Sequence, residues 1–417
     1  MMPTTSIGMS RGLKVPYFQK GICYVTWEKD KFASKYSDQS IEMLKNLGVE
    51  YLQINVTWYQ QSYNSTRIAE TELTPSDKSV RHAIQKAHKC GLKVMLKPHI
   101  DIINSGDGYW RADIGFYKEE DWDKWFKEYD NFISHYANMA QKENVEIFCV
   151  GTELSFAAQK EERWRTLIGH IRAIYPGKLI YAANWDNYKN IRFWDALDYA
   201  GIDAYFPLSY KKNPDLEDLK KGWEKWIYEI SVWHAEVNKP VIFTEIGYSS
   251  SSIAPSEPWK NGVGEADVAL QARCYEAFFE SVWRCDWLEG VYWWRWAPTV
   301  KGGGMYNRRY TPLNKPAAEI LAKRYKEVSS PATGYTTAER ISREADRAQE
   351  GSVMKNAPID EKFAASAVFK AQRQVTPETN IQAMAGTATL MPELKTKYKK
   401  EFRNEWEMKR TEFMATE

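Results

Sequence analysis

Several protein classes are set aside by what this 417-residue chain has little of. No segment is long and apolar enough to span a bilayer as a helix, and residues 1–15 have no apolar core of signal-peptide length, so a cytoplasmic protein is expected. Cysteine is scarce and odd in number, five in all, with no CxxC or Cys/His spacing of a zinc site. Reduced, buried thiols are expected, with no metal and no organic cofactor. Net charge is only +2 although 27% of residues are charged, so no global field points to nucleic acid or an anionic membrane. No glycine-rich phosphate-binding fingerprint comes after the first strand. Gly302, Gly303 and Gly304 come after the last strand and lack its spacing, and they read as a loop.

Aromatic residues are abundant. They make up 14% of the chain, and of 18 tryptophans only Trp406 lies beyond residue 300. Aromatic faces stack on sugars, bases or one another, which favours a carbohydrate site without fixing one.

Apolar runs Gly21–Trp27, Tyr51–Trp58, Leu92–Ile100, Val145–Glu153, Lys178–Asn184, Tyr199–Tyr205, Val241–Glu245 and Val291–Trp296 read as strands. Helical stretches alternate with them and end at Pro316–Tyr325. Such β-α units, eight in about three hundred residues, predict an α/β protein, a (β/α)8 TIM barrel over residues 18–326, preceded by an arm over 1–17. In a barrel, functional groups gather where strands end and βα loops begin. Those ends hold Trp27, Glu28, Asn55, Trp58, His99, Asp101, Glu153, Asn184, Trp185, Tyr205, Glu245 and Trp294.

Two strands run into a glutamate. Val241–Glu245 ends on an acid that period-two alternation sets on the same face as Phe243. Phe148–Glu153 repeats the device, with Glu153 expected on the face of Cys149 and Gly151. An acid at the inward end of a strand is costly unless it meets solvent or a partner. A lone buried glutamate reads equally well as structural; two at corresponding places fit glycoside hydrolysis, which needs an acid and a second carboxylate on either side of the anomeric carbon. Asp203, one pleat below Tyr205, reads as structural, and His99 has no metal-spaced partner.

The segments GlyThrGluLeu (151–154), TyrAlaAlaAsnTrpAsp (181–186), GlyIleAspAlaTyrPhePro (201–207) and PheThrGluIleGlyTyr (243–248) resemble the barrels of glycoside hydrolase family 113. So do LysProHis (97–99) and GlyTyrTrpArg (108–111), and the resemblance covers about residues 18–325. It implies a retaining β-1,4-mannanase, with Glu153 as general acid/base and Glu245 as nucleophile. It also implies Tyr205 orienting Glu245, Trp294 as a stacking floor, and Asn184, Trp185, His99, Asn55 and Trp110 as subsite residues. One departure is Thr152, because most of the wider clan carries asparagine before the acid/base to hold the sugar 2-hydroxyl. Asn184 or Asn55 is the expected substitute.

After Tyr325 the alternation stops. Residues 327–417 read as short polar helices, the last from Pro392 with Leu394, Tyr398, Phe402 and Trp406 as a narrow apolar stripe. Too poor in large aliphatics for a core of its own, this helical, extended tail is expected to pack on its barrel or to dock on a protein partner. Two readings result: a hydrolase of oligosaccharides or polysaccharides, and a barrel recruited through its tail as a scaffold component of a large intracellular assembly such as the cytoskeleton.

Overall fold

The computed structural model describes residues 18–105 and 108–327. The expected arm over 1–17 and all but the first residue of the expected tail lie outside them. The strands are β1 (Gln19–Val25), β2 (Tyr51–Gln60), β3 (Lys93–Ile102), β4 (Ile147–Thr152), β5 (Lys178–Asn184), β6 (Tyr199–Asp203), β7 (Val241–Ile246) and β8 (Leu288–Trp296). Each pairs in parallel with the next, and β8 returns to β1, closing the barrel. The helices are α1 (Lys35–Asn46), α2 (Asp77–Lys89), α3 (Glu119–Lys142), α4 (Glu161–Ile174), α5 (Leu216–Val237), α6 (Val268–Ser281) and α7 (Pro316–Lys326). Between β5 and β6 the chain makes only 3₁₀ turns, Tyr188–Asn190 and Trp194–Ala196, where the sequence predicts a short helix near residues 191–197.

Local chemistry places the helix ends. Ser34 and Ser76 accept from the backbone N–H three residues on, and Asp215 and Asp218 form a reciprocal capping box that opens α5. Asn238 closes α5 at φ 50°, a left-handed C-terminal position that asparagine tolerates better than most residues.

Two apolar layers result from strand alternation. Cys23, Tyr51, Met95, Ile147, Cys149, Ile180, Ile242 and Tyr292 fill the barrel interior. The larger layer lies between strands and helices, where Trp122, Trp125, Trp164, Trp223, Trp287, Trp293 and Trp296 are fully buried. Burying such a ring removes roughly 150–250 Å² from water, a gross gain of about 4–6 kcal/mol before entropy is subtracted. Most of the tryptophan excess is therefore packing, and the carbohydrate signal carried by composition belongs to a minority of the rings. Trp58 is one of the packing rings, turned outward against Phe132 and bonded to Tyr136 Oη at 2.8 Å.

Alternation fails at the two strands that end in glutamate. Phe243 packs outward against Trp223, Phe278 and Trp287, yet Glu245 points inward, not on the side of Phe243. The β7–β8 register shifts between Phe243 and Ile246. A matching shift separates Cys149 from Thr152 on β4, where Cys149 faces the interior while a Cβ on Gly151 would meet the outer Trp164 and Tyr181 rings. An extra residue at a strand end re-aims the side chains beyond it: on β7 the bulge turns Glu245 toward the barrel mouth, while on β4 it turns Gly151 outward and Glu153 stays on the inner side with Cys149, as expected.

Candidate active site

Strand β3 keeps a strict period of two, and so presents Lys97, His99 and Asp101 inward at three successive heights. Asn55 on β2 lies beside them, its amide nitrogen 2.9 Å from His99 Nε2, with Gln53 Nε2 3.4 Å from Asn55 Oδ1. Asn55, His99 and Asp101 make one wall of a cavity of about 540 Å³ at the C-terminal mouth of the barrel, and Lys97 and Gln53 lie buried beneath it. The structure brings all nine expected site residues to that cavity: Glu153, Glu245, Tyr205, Trp294, Asn184, Trp185, His99, Asn55 and Trp110.

Glu245 is buried and doubly held. Tyr205 Oη donates to its Oε2 at 2.7 Å, and Lys97 Nζ donates to Oε1 at 2.7 Å. Burial and the Glu245 charge push the Tyr205 hydroxyl well above its ordinary range, so it stays a donor. Lys97 is fully buried, and its Nζ also lies 2.9 and 3.1 Å from the two oxygens of Asp203. Burial disfavours the ammonium; Asp203 and Glu245 more than reverse this and hold it charged. Burial and then the Glu245 charge push the Asp203 carboxyl upward, with Lys97 opposing them.

Glu153 sits one residue past β4 at φ 53°. That left-handed backbone is uncommon outside glycine and asparagine and costs about 1–3 kcal/mol. Its N–H bonds to Ala182 O at 2.8 Å and the next N–H to Tyr181 Oη at 3.0 Å, which hold the turn in place. Arg111 Nη1 donates to Glu153 Oε2 at 2.6 Å, while its Nε donates to Ile100 O at 3.0 Å and Nη2 lies 3.3 Å from Asp101 Oδ2. Burial pushes the Glu153 carboxyl up to about 7; Arg111 pulls against this and the Glu245 charge adds to it.

Rings complete the enclosure. Trp27, Trp110, Trp185, Trp259 and Trp294 line it, with Trp185 and Trp259 stacked at 5.5 Å and 10°. The Trp294–Arg295 peptide is cis. Thr152 is turned away, its hydroxyl 3.5 Å from Pro98 O, whereas Asn184 lines the cavity with Oδ1 accepting from the Trp185 N–H at 3.0 Å. Asn55 is already committed to His99 and Gln53. Among the described residues, Glu70, Asp77 and His135 bring possible metal-ligand atoms within 4.8 Å of one another, outside this cavity.

Sequence reasoning gave no role to Lys97, Arg111 or Trp259, although the first two lie in the LysProHis and GlyTyrTrpArg segments. Lys97 left a trace, a cation at an inward position of an otherwise apolar strand, which only a partner across the barrel makes intelligible. Arg111 and Trp259 come from βα loops, whose side-chain directions no periodicity predicts.

A (β/α)8 barrel that sets two buried glutamates, from the ends of β4 and β7, among aromatic rings has the architecture of a glycosidase. The chain belongs to Glycoside Hydrolase Family 113, whose family match runs over residues 23–314. It is similar to a family 113 β-1,4-mannanase solved as a complex, at 28% identity and TM-score 0.69, covering 75% of this chain and 100% of that one. A second structure of a family 113 β-1,4-mannanase gives 28% identity and TM-score 0.68 over the same shares. The family 113 β-mannanase of Alicyclobacillus acidocaldarius, in complex with ManMIm, gives 27% identity and TM-score 0.68, covering 74% of this chain and 97% of that one. No curated protein matches.

Proposed function

We propose that this glycoside hydrolase cleaves β-1,4-linked mannan or manno-oligosaccharides with retention of anomeric configuration. The observation that carries the reading is the unequal environment of two buried carboxyls in one saccharide-sized cavity: Glu153 pushed up to about 7, Glu245 held by Tyr205 and Lys97. A carboxyl of that kind carries a proton near neutral pH and is suited to general acid work. Glu245 attacks the anomeric carbon; the glycosidic C–O bond breaks, and the leaving oxygen takes the proton of Glu153. Once Glu245 is esterified its negative charge is gone, which removes one cause of the high Glu153 pKa. Glu153 then accepts a proton from water, and that water oxygen displaces Glu245 from the anomeric carbon.

Trp294 serves as the sugar floor, Trp185 with Trp259 as a wall, and the Asn184 amide as a donor for the hydroxyl that Thr152 does not reach. Purified protein is expected to release reducing sugar from manno-oligosaccharides, with the first product in the substrate's own anomeric configuration by proton NMR. Glu245→Gln is expected to abolish turnover. Unchanged activity of that variant, or a first product of inverted configuration, overturns the reading.

A further inference from the structure

A fully buried lysine lies against the carboxylate assigned above as nucleophile, and stability gives weak grounds for it. Replacing a buried ion pair by apolar residues is often neutral or stabilising, while breaking one side of it is costly. Lys97 and Asp203 are both completely shielded from solvent, and they come from β3 and β6. Lys97 Nζ is shared among Asp203 Oδ1 at 2.9 Å, Asp203 Oδ2 at 3.1 Å and Glu245 Oε1 at 2.7 Å. Thr244, next to Glu245 on β7, donates to Asp203 Oδ1 at 2.7 Å and fixes the far end of the group. Asp203 does not line the cavity, so it acts on the reaction without touching substrate, through Lys97 and through its own charge beside Glu245.

We propose that Lys97 and Asp203 are positioning residues that set the charge of Glu245 in both halves of the catalytic cycle, an inference that rests on the reading of Glu245 as nucleophile. With no cation, a carboxylate this buried drifts toward its neutral form and cannot attack. With a lysine of its own it is held too firmly to leave its partner. Here the ammonium is divided between Glu245 Oε1 and both oxygens of Asp203. When Glu245 forms its bond to the anomeric carbon and the leaving group departs with the proton of Glu153, Glu245 becomes a neutral ester. Lys97 would then be a buried cation without a counter-charge, and Asp203 supplies one until water frees Glu245 again.

The two residues should act on pH dependence in opposite directions. Removing Asp203 alone gives the whole ammonium to Glu245; removing both leaves Glu245 without a cation while keeping the local charge balanced. The groups that also face Glu245 are Cys23 from β1, His99 from β3, Glu153 after β4, Tyr205 after β6 and Arg111 from the loop after β3. All of them are unchanged in both variants.

The test is the pH profile of kcat/KM on a manno-oligosaccharide for the full-length wild type, Asp203→Asn, Lys97→Met/Asp203→Asn and Glu245→Gln, with folding checked by thermal melting. The acid limb is expected to move down by about one pH unit in Asp203→Asn and up by about one unit in the double variant. In both, kcat falls and KM holds, because neither residue touches substrate. If Glu245→Gln is inactive but the acid limb stays at its wild-type position in the variants that fold, this inference is overturned and the nucleophile reading stands. If Glu245→Gln is active, the nucleophile reading itself fails. Should the double variant not fold, Asp203→Asn alone decides: a limb that stays or rises rejects the proposal.

Discussion

At the scale of the residue, each of the two glutamates in the cavity has a cation beside it, and each cation has a second carboxylate: Lys97 with Asp203, Arg111 with Asp101. The difference between the glutamates lies in burial against charge. For Glu153, burial outweighs Arg111, and its carboxyl is pushed from 4.5 up to about 7. Because Arg111 opposes the rise, Arg111→Met should move the alkaline limb of kcat/KM to higher pH, as measured by a pH series on manno-oligosaccharide. A second consequence concerns stability. A carboxyl whose folded pKa lies above its unfolded one favours the folded state less as pH climbs from about 4.5 through about 7, a loss of about 3 kcal/mol when complete. Glu153→Gln should therefore melt higher than wild type at pH 8, and the two should converge near pH 4. Equal melting temperatures at both pH values would contradict the burial argument.

At the scale of the element, β4 and β7 show how far a strand pattern can be read. Their existence is legible in apolar runs that end in an acid, and β5 begins and ends where the sequence places it. The faces of Glu245 and Gly151 are not, because a bulge resets the alternation and depends on pairing with neighbouring strands rather than on the strand's own residues, whereas Glu153 does share the inner side with Cys149. Gly151 sits inside one of these bulges. A Cβ there would come 2.7 Å from the Trp164 ring and 2.8 Å from that of Tyr181, both fully buried. Gly151→Ala is expected to destabilise by about 1–3 kcal/mol, read by urea unfolding, and to lower kcat through the displaced Glu153. Just past the neighbouring strand β5, Trp185→Ala removes one half of the stacked pair with Trp259 and should raise KM more than it lowers kcat. A fall confined to kcat would place this pair away from the sugar.

At the scale of the whole molecule, the barrel that β8 and β1 close is braced by the last helix. Tyr325 Oη donates to Gly21 O at 2.8 Å, and Lys20 Nζ donates to Tyr325 O at 2.8 Å, tying α7 to the first strand. Ending the chain after residue 327 is expected to leave melting temperature and kcat/KM unchanged, whereas ending it after residue 315 should unfold the barrel. Loss of activity in the chain that ends after residue 327 would give the tail a part in the site. The docking role expected of residues 327–417 is tested by the same deletion, through loss of a bound protein partner rather than loss of turnover.

Composition, element order and the pair of glutamates were legible in the linear chain, since each rests on local patterning: apolar runs, caps, and acids at strand ends. The nine expected site residues share one cavity because a parallel barrel brings all its strand ends to one rim. What only the tertiary structure decided is which charges meet. Lys97 and Asp203 stand 106 positions apart, and Lys97 and Glu245 148 apart. No period within a strand encodes a contact across the barrel. Their pairing, and with it the unequal settings of Glu153 and Glu245, exists only once the sheet has closed and water has been removed from between them.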